Sequence, residues 1–178
     1  MIDRDNPEYK EYFDKVDPDR EITLEEYSEA INQAHRTRTT VCYLIWKKIK
    51  EFYPEIDADK IMIEAHREFG IKCGEKWGNI NNAKESLLAQ SSRAGYHAFK
   101  QELVEYTEDY AQKNFGYCPH VDALKKLGAG PEEIKFFCPE ILSAGDYGNL
   151  EPHKNVRLEF KKQIGAGDDH CEYCVLRV

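Results

Sequence analysis

The residues of this sequence best suited to chemistry are cysteines and histidines of the C-terminal half. Four of the six cysteines lie there, and two of them, Cys171 and Cys174, form a CxxC sequence next to a histidine in the segment GAGDDHCEYC. A CxxC sequence can bind zinc in a knuckle, or carry out redox chemistry at the N-terminus of a helix. The alternative is a β-hairpin that happens to contain two cysteines.

The sequence on both sides of this segment favours the hairpin. In residues 156–161 apolar and charged side chains alternate, GAGDD supplies a turn, and residues 170–178 return as a partner strand. Because side chains alternate between the two faces of a strand, sulfurs three residues apart point to opposite sides. The pattern therefore predicts that Cys171 and Cys174 do not act as a unit, but it does not decide which of them faces the core.

The elements that must position these residues are predicted to be helical in the first half. Thr23 and Glu26 have the spacing of a capping box, which marks the start of the first helix. Apolar residues at helical intervals predict three helices, over residues 23–53, 57–77 and 81–103. In the second of these, Gly70, Gly74 and Gly78 recur every fourth residue. This row indicates close approach of another helix or a ligand, or fraying beyond Gly70.

The second half is predicted to mix strands with short helices. Residues 103–118 are rich in tyrosine and threonine, which favours strand over a continuing helix. Two short helices follow, over residues 119–128 and 131–138, the second opening with a proline where proline is tolerated. Residues 139–155 contain two prolines and two glycines and are predicted to form an irregular loop.

These elements predict an α+β fold. N-terminal helices would pack on a small antiparallel sheet that ends in a C-terminal hairpin. A chain of 178 residues suits a single domain. In that domain, residues 1–102 would form the mainly helical part, and residues 103–178 the α+β part that carries the cysteine motifs.

Composition and charge limit the classes of partner. The formal charge of −8 leaves no basic stripe for nucleic acid and does not favour an anionic membrane surface. The longest apolar run, residues 41–46, is too short to cross a bilayer, and the N-terminus lacks the pattern of a signal peptide. We therefore expect a cytoplasmic protein with reduced cysteines and a small-molecule partner. The sequence does not determine the oligomeric state, and a homo-oligomer stays open.

Several landmarks occur in order along roughly the last sixty residues. They are a Cys-Pro before a short helix, a Leu-Gly, a cysteine after another short helix, and a Gly-Asp-x-x-Cys-x-aromatic hairpin. In this sequence they are Cys118-Pro119, Leu127-Gly128, Cys138, Gly167-Asp168, Cys171 and Tyr173. Together they resemble the L-2-amino-thiazoline-4-carboxylic acid hydrolase family. The hairpin is also similar to that of vinyl-reductase-type domains, which bind small molecules or hydrocarbons.

The resemblance implies an α+β fold and cytoplasmic hydrolysis of a cyclic amidine or a related carbon–nitrogen heterocycle. The competing hypothesis is a non-catalytic domain that binds or senses a small molecule. The two would be distinguished by incubating the protein with the thiazoline and assaying for free or carbamoylated cysteine.

Two mechanisms suit three cysteines that the fold could bring together, Cys118, Cys138 and Cys171. In the first, a thiolate attacks the carbon of the C=N group, and His120 or His153 acts as base and then as proton donor. Cys118 is the preferred nucleophile because it directly precedes a predicted helix, whose dipole would stabilise a thiolate. In the second, the three cysteines and a histidine hold zinc; otherwise no cofactor is expected. The alternative to both is that all three thiols are buried core residues.

Three further residues are candidates for contact with a substrate. Asp146 lies in a glycine-flanked segment that the sequence pattern does not otherwise explain. A substrate carboxylate would need a cation, which Arg157 or Arg93 could supply. Tyr117 could line a pocket, although packing on the sheet is the commoner role of such a tyrosine.

Overall fold

The computed structural model describes residues 7, 15 and 20–178. Its helical part comprises α1 (Leu24–Phe52), α2 (Ala58–Gly74), a 3₁₀ turn (Glu75–Trp77), α3 (Ala83–Gln90) and α4 (Arg93–Ala98). The predicted capping box opens α1: Thr23 Oγ1 accepts a hydrogen bond from the Glu26 N–H, and the Glu26 carboxylate accepts one from the Thr23 N–H. Within residues 20–178, no helix is both long enough and apolar enough to cross a membrane.

The rest of the chain alternates strands and short helices. In order they are β1 (Gln101–Tyr106), β2 (Tyr110–Phe115), α5 (Pro119–Lys126), α6 (Pro131–Phe136), a π-helical segment (Phe137–Leu142), α7 (Ser143–Leu150), β3 (Val156–Phe160), a 3₁₀ turn (Ile164–Ala166) and β4 (Cys171–Arg177). The strands form one antiparallel sheet in the order β1-β2-β4-β3. The predicted α+β fold, with its C-terminal hairpin, is confirmed.

Two clusters of buried side chains form the core. One joins α1 and α2 to α5 and the π-helical segment around Trp46, Phe137 and Ile141. The other covers the inner face of the sheet, where α3 packs on β2 and β4 around Leu87 and Tyr173. Two partly buried side chains contact both clusters: Phe99, directly after α4, and Ile164 of the second 3₁₀ turn. The helical part and the sheet therefore share a boundary.

Helices α2 and α7 cross with their backbones almost in contact. A Cβ added to Gly70 would lie 2.0 Å from the Gly145 carbonyl oxygen, and one added to Gly74 would lie 2.0 Å from the Asn149 oxygen. A Cβ added to Gly148 would lie 2.4 Å from the oxygen of Arg67. Of the alternatives predicted for the glycine row, the structure shows close approach of another helix, and α2 continues through Gly74.

The helix predicted over residues 81–103 is wrong in its second part. It stops at Gln90, where the Ser91 hydroxyl donates to the Leu87 carbonyl at 2.6 Å, and Ser92 caps a separate short helix. The chain then turns at Lys100, which has a φ of 49°, and enters β1. The strand predicted over residues 103–118 is confirmed, although a turn divides it into β1 and β2.

The irregular loop predicted over residues 139–155 is also wrong, because most of that segment is helical. Proline and glycine disfavour helix on their own, which explains the prediction. In the structure Pro139 lies in the π-helical segment. The glycines of α7 are the residues that allow its close contact with α2, so tertiary packing overrides their low helix propensity.

Candidate active site

A cavity of about 550 Å³ lies between the helical part and the C-terminal elements. One wall comes from α1 and α2, and a second wall from α5, the π-helical segment, α7 and the start of β4. Side chains of α4 and β2 complete the lining. The cavity therefore has the size and position of a small-molecule site.

The three cysteines named by the sequence all line this cavity. Cys118 caps α5, Cys138 belongs to the π-helical segment, and Cys171 begins β4; each is buried. Cys174 lies on the other face of β4, where its Sγ accepts a hydrogen bond from the Tyr110 hydroxyl at 3.2 Å. The prediction from strand alternation is confirmed, because the two sulfurs of the CxxC sequence serve different sides of the sheet.

Cys118 is the cavity cysteine best placed to be a thiolate. The neighbouring Cys138 thiol lowers the pKa of the Cys118 thiol most strongly, in opposition to burial. The backbone N–H groups of Val121 and His120, in the first turn of α5, lower this pKa further, although neither completes a capping hydrogen bond to Sγ. The sequence-based preference for Cys118 as nucleophile therefore agrees with its surroundings.

The other three cysteines that line the cavity are held as neutral thiols: Cys42 of α1, Cys138 and Cys171. Burial raises the pKa of the Cys42 thiol. Interaction with Cys118 and burial raise the pKa of the Cys138 thiol well above its ordinary value. Burial raises the pKa of Cys171 to about 12, although its Sγ accepts a hydrogen bond from the Ile164 N–H at 3.3 Å. Each of these cysteines keeps its proton at neutral pH, so Cys138 can act as a donor toward Cys118.

His120 of α5 lines the cavity, and a side chain of α1 holds its ring in place. Its Nδ1 lies 2.6 Å from Thr39 Oγ1, and the Thr39 hydroxyl lies 2.9 Å from the His35 carbonyl oxygen. Both contacts are satisfied when the hydroxyl donates to that carbonyl and His120 Nδ1–H donates to the hydroxyl. This tautomer leaves Nε2 with a lone pair. Burial, together with Arg38, lowers the pKa of His120 well below its ordinary value, so the ring is neutral.

Two further histidines line the cavity, and the sequence reasoning did not select them. His35 belongs to α1 and stacks edge-on against His120, with ring centroids 5.1 Å apart. His66 belongs to α2 and its Nδ1 lies 2.8 Å from the Met62 carbonyl oxygen. Burial lowers the pKa of both rings. Their helices looked like scaffold in the sequence, and no local motif marked either residue.

Asp146 is the carboxylate that lines the cavity, as the sequence suggested. Burial raises its pKa to about 6, and the positive charges of Lys113 and Arg38 oppose that rise. Lys113 itself was missed, although it lies between Ala111 and Phe115 on the buried face of β2. The sequence did contain a signal for it: a lysine at a position where the strand pattern requires a buried side chain is unusual, because lysine is seldom fully buried.

Lys113 does not line the cavity itself, but it contacts Gln90, which does. Its ammonium group donates to Gln90 and, at 3.0 Å, to Ser91 Oγ, and it lies 5.4 Å from the centre of the Tyr173 ring. Burial lowers its pKa to about 8, which leaves most of the amine charged at neutral pH. Lys113 therefore favours the ionised form of Asp146 from a fixed position.

Two predicted site residues lie away from the cavity. His153 is buried beneath the first 3₁₀ turn, where its Nε2 lies 3.0 Å from the Gly74 carbonyl oxygen and its ring stacks on Trp77 at 5.8 Å. Arg157 is exposed on β3, with its guanidinium 3.6 Å from the Glu159 carboxylate. His153 thus has a packing role, and Arg157 has a surface ion pair.

Tyr117 also lies outside the lining. Its hydroxyl donates to Asp122 Oδ2 at 3.1 Å and accepts from Arg36 at 3.4 Å, which ties α5 to α1. The arginine that does line the cavity is Arg38 of α1. Two nearby arginines of α1 therefore differ in role: Arg36 contacts Asp122 of α5, whereas Arg38 lines the cavity.

The zinc site considered from the sequence does not fit the arrangement of these side chains. Within residues 20–178, no three His, Cys, Asp or Glu side chains are placed so that they could hold a metal ion. Zinc stays a prediction that elemental analysis of the purified protein checks.

A comparison with protein families agrees with the landmarks found in the sequence. The model of the L-2-amino-thiazoline-4-carboxylic acid hydrolase family matches residues 33–175. The chain belongs to this family. The match begins within α1, so the family region includes both walls of the cavity and not the C-terminal landmarks alone. A comparison with curated proteins finds no match.

Proposed function

We propose that the protein is a hydrolase that opens a small cyclic amidine or related carbon–nitrogen heterocycle, with 2-amino-thiazoline-4-carboxylate as the first candidate. One observation carries the proposal: a cysteine with a lowered pKa shares a cavity with a neutral histidine and a carboxylate. Membership of the amino-thiazoline hydrolase family supports hydrolase chemistry in general.

The proposed role of Asp146 is to bind the amidine. An amidine is a cation at neutral pH, and a carboxylate in the cavity is its natural partner. Lys113 favours ionisation of Asp146 from behind the cavity. An amidinium paired with a carboxylate keeps its central carbon electrophilic, as the attack requires.

In the proposed first step, Cys118 attacks that carbon while His120 Nε2 takes the thiol proton. The new Sγ–C bond forms, and the electron pair of the C=N bond moves to nitrogen. The ring heteroatom then leaves with the proton held by His120, so the ring opens and the amidine carbon stays bonded to Cys118. Cys138, a neutral thiol beside Cys118, stabilises the sulfur before attack and after release.

In the second step, water attacks the same carbon and gives a proton to His120. The Sγ–C bond breaks, Cys118 leaves with the hydroxyl proton, and a carbamoyl product is released. His120 then releases its proton to solvent, which accounts for the proton that the amidinium brought in. One water is consumed, no electron is transferred, and the thiol and the neutral His120 are regenerated. The apolar lining from Phe99, Phe115 and Phe160 would limit entry of other water molecules.

The test is incubation of the purified protein with L-2-amino-thiazoline-4-carboxylate, with carbamoylated and free cysteine followed by mass spectrometry. We expect turnover without added metal. A well-folded sample that gives no product, with or without zinc, would contradict the specific assignment.

The second candidate, a non-catalytic binding domain, is favoured by the same phenylalanine lining. Calorimetry on the sample used for the activity assay separates the candidates. Binding of the thiazoline without product formation supports the binding domain, whereas product formation excludes it.

A further inference from the structure

Arg38 occupies the opening of the cavity. It belongs to α1, it lines the cavity, and its side chain is exposed. Phe69 of α2 also lines the cavity and is 56% exposed. Residues that are both lining and exposed mark the opening, so a ligand that enters passes the Arg38 guanidinium.

Most arginines elsewhere in residues 20–178 have a carboxylate partner. The paired ones are Arg20, Arg36, Arg67, Arg157 and Arg177. Among contacts between residues 20–178, Arg38 has no such ion pair, and the same is true of Arg93, which does not line the cavity. Arg38 therefore combines a cavity position with a guanidinium that these residues leave available to a ligand.

The positive charge of Arg38 affects the pKa values of four other residues that line the cavity. It contributes to the lowered pKa of His35, His66 and His120, which keeps these rings neutral. It also acts on Asp146, whose pKa it lowers. The lining thus presents one cation near the opening and one anion deeper inside, which matches a ligand with a negative end and a positive end.

We propose that Arg38 binds the carboxylate of the substrate and thereby selects heterocycles that carry one. The planar guanidinium can donate two parallel hydrogen bonds to a carboxylate. A ligand anchored there by its carboxylate would extend its amidine toward Asp146 and Cys118. The inference rests on the proposed function for the identity of the cavity as the substrate site. Within that site it assigns specificity to α1, which carries none of the C-terminal landmarks.

The test compares two substrates on the full-length protein: L-2-amino-thiazoline-4-carboxylate, and 2-amino-thiazoline, which lacks the carboxylate. For Arg38→Ala we expect kcat/KM to fall by about 10- to 100-fold with the first substrate, mainly through KM, and to fall much less with the second. The effect of the lost charge on the pKa of His120 and Asp146 is shared by both substrates. Arg38→Lys keeps the charge without the planar fork and should be intermediate. Arg157→Ala is the matched control, because this arginine is exposed and distant from the cavity.

Each outcome decides the assignment. An equal loss with both substrates, or no loss with the carboxylated one, overturns the role of Arg38 and leaves the hydrolase proposal standing. If the wild-type protein turns over neither substrate, calorimetry with the carboxylated thiazoline replaces the kinetic measurement. Weaker binding to Arg38→Ala than to Arg157→Ala then supports the carboxylate subsite while contradicting the hydrolase. Absence of wild-type binding contradicts both proposals.

Discussion

One wall of the cavity, formed by α1 and α2, carries Arg38, His35, His66 and Cys42, whereas the second wall carries the other three cysteines and Asp146. The first wall belongs to long helices with a regular apolar pattern. The second is assembled from a helix N-terminus, a π-helical segment, a glycine-containing helix and a strand end.

The difference indicates a division of labour. Irregular elements bring reactive groups from distant points of the chain to one place, because each ends or bends at the cavity. Regular helices supply fixed positions for recognition and orientation, as with Thr39 and His120. Substitutions on each wall test this division, and the most damaging one concerns the proposed nucleophile.

Replacement of the proposed nucleophile should have the largest effect. For Cys118→Ser we expect kcat/KM on the thiazoline to fall by about 10³-fold or more, because a serine hydroxyl is a far weaker nucleophile than a thiolate. Cys174→Ser is the matched control from the other face of β4 and should retain wild-type activity. Steady-state kinetics of both variants measures this difference. Similar activity of the two variants would show that Cys118 is not the nucleophile.

The next effect concerns the contact between the walls. For His120→Gln we expect a loss of about 10²- to 10³-fold in kcat, because the proton transfers lose their base. Thr39→Val removes only the hydroxyl that orients His120 and should cost about 10-fold. If Thr39→Val is as damaging as His120→Gln, then orientation by α1 outweighs the proton transfer itself.

A methyl group at the helix crossing should separate the walls. Gly70→Ala should lower the free energy of unfolding by about 2–4 kcal/mol, because its Cβ would overlap the Gly145 carbonyl at 2.0 Å. Gly130→Ala is the control, since no atom lies within 4 Å of its added Cβ. Urea unfolding monitored by circular dichroism measures both. Equal stability of the two variants would show that α2 and α7 can move apart freely.

The smallest effect is the cost of burying a charge. Burial raises the pKa of Asp146 from 3.8 to about 6. The folded state therefore binds this proton more tightly than the unfolded state, and the ionised carboxylate destabilises the fold at higher pH. Asp146→Asn should raise the free energy of unfolding by about 1–3 kcal/mol at pH 8.

This stabilisation has a defined pH dependence. It should be absent below the ordinary Asp pKa of 3.8, grow as the pH rises toward about 6, and stay constant above that. Asp109→Asn, whose parent side chain is 87% exposed, is the control and should show no such gain. A pH-independent gain would mean that packing, and not charge, limits stability at this position.

Several features could be read directly from the order of residues. The capping box at Thr23, the Asp57 cap of α2 and the alternation in the terminal hairpin each depend on side chains a few residues apart. Their physical causes are local, so the sequence contained them. The same is true of the separation of Cys171 from Cys174, which follows from the two-residue period of a strand.

The failures occurred where distant contacts outweigh local preference. The low helix propensity of Gly145 and Gly148 predicted a loop, whereas their missing side chains allow α7 to pack on α2. Similarly, the sequence pointed to Arg157 or Arg93 as the cation for a substrate, and only the packing of α1 places Arg38 at the cavity.

The order of residues was enough to predict the fold class and the family landmarks, and to select the three cysteines, Asp146 and His120 as candidates. Packing was needed to show which further histidines and which arginine line a cavity with them, and that Lys113 favours the ionised form of Asp146. These two groups of features differ in the distance along the chain over which their causes act. Caps and strand alternation arise from neighbours along the chain, whereas a site made of α1, α2 and the C-terminal elements exists only after those elements pack.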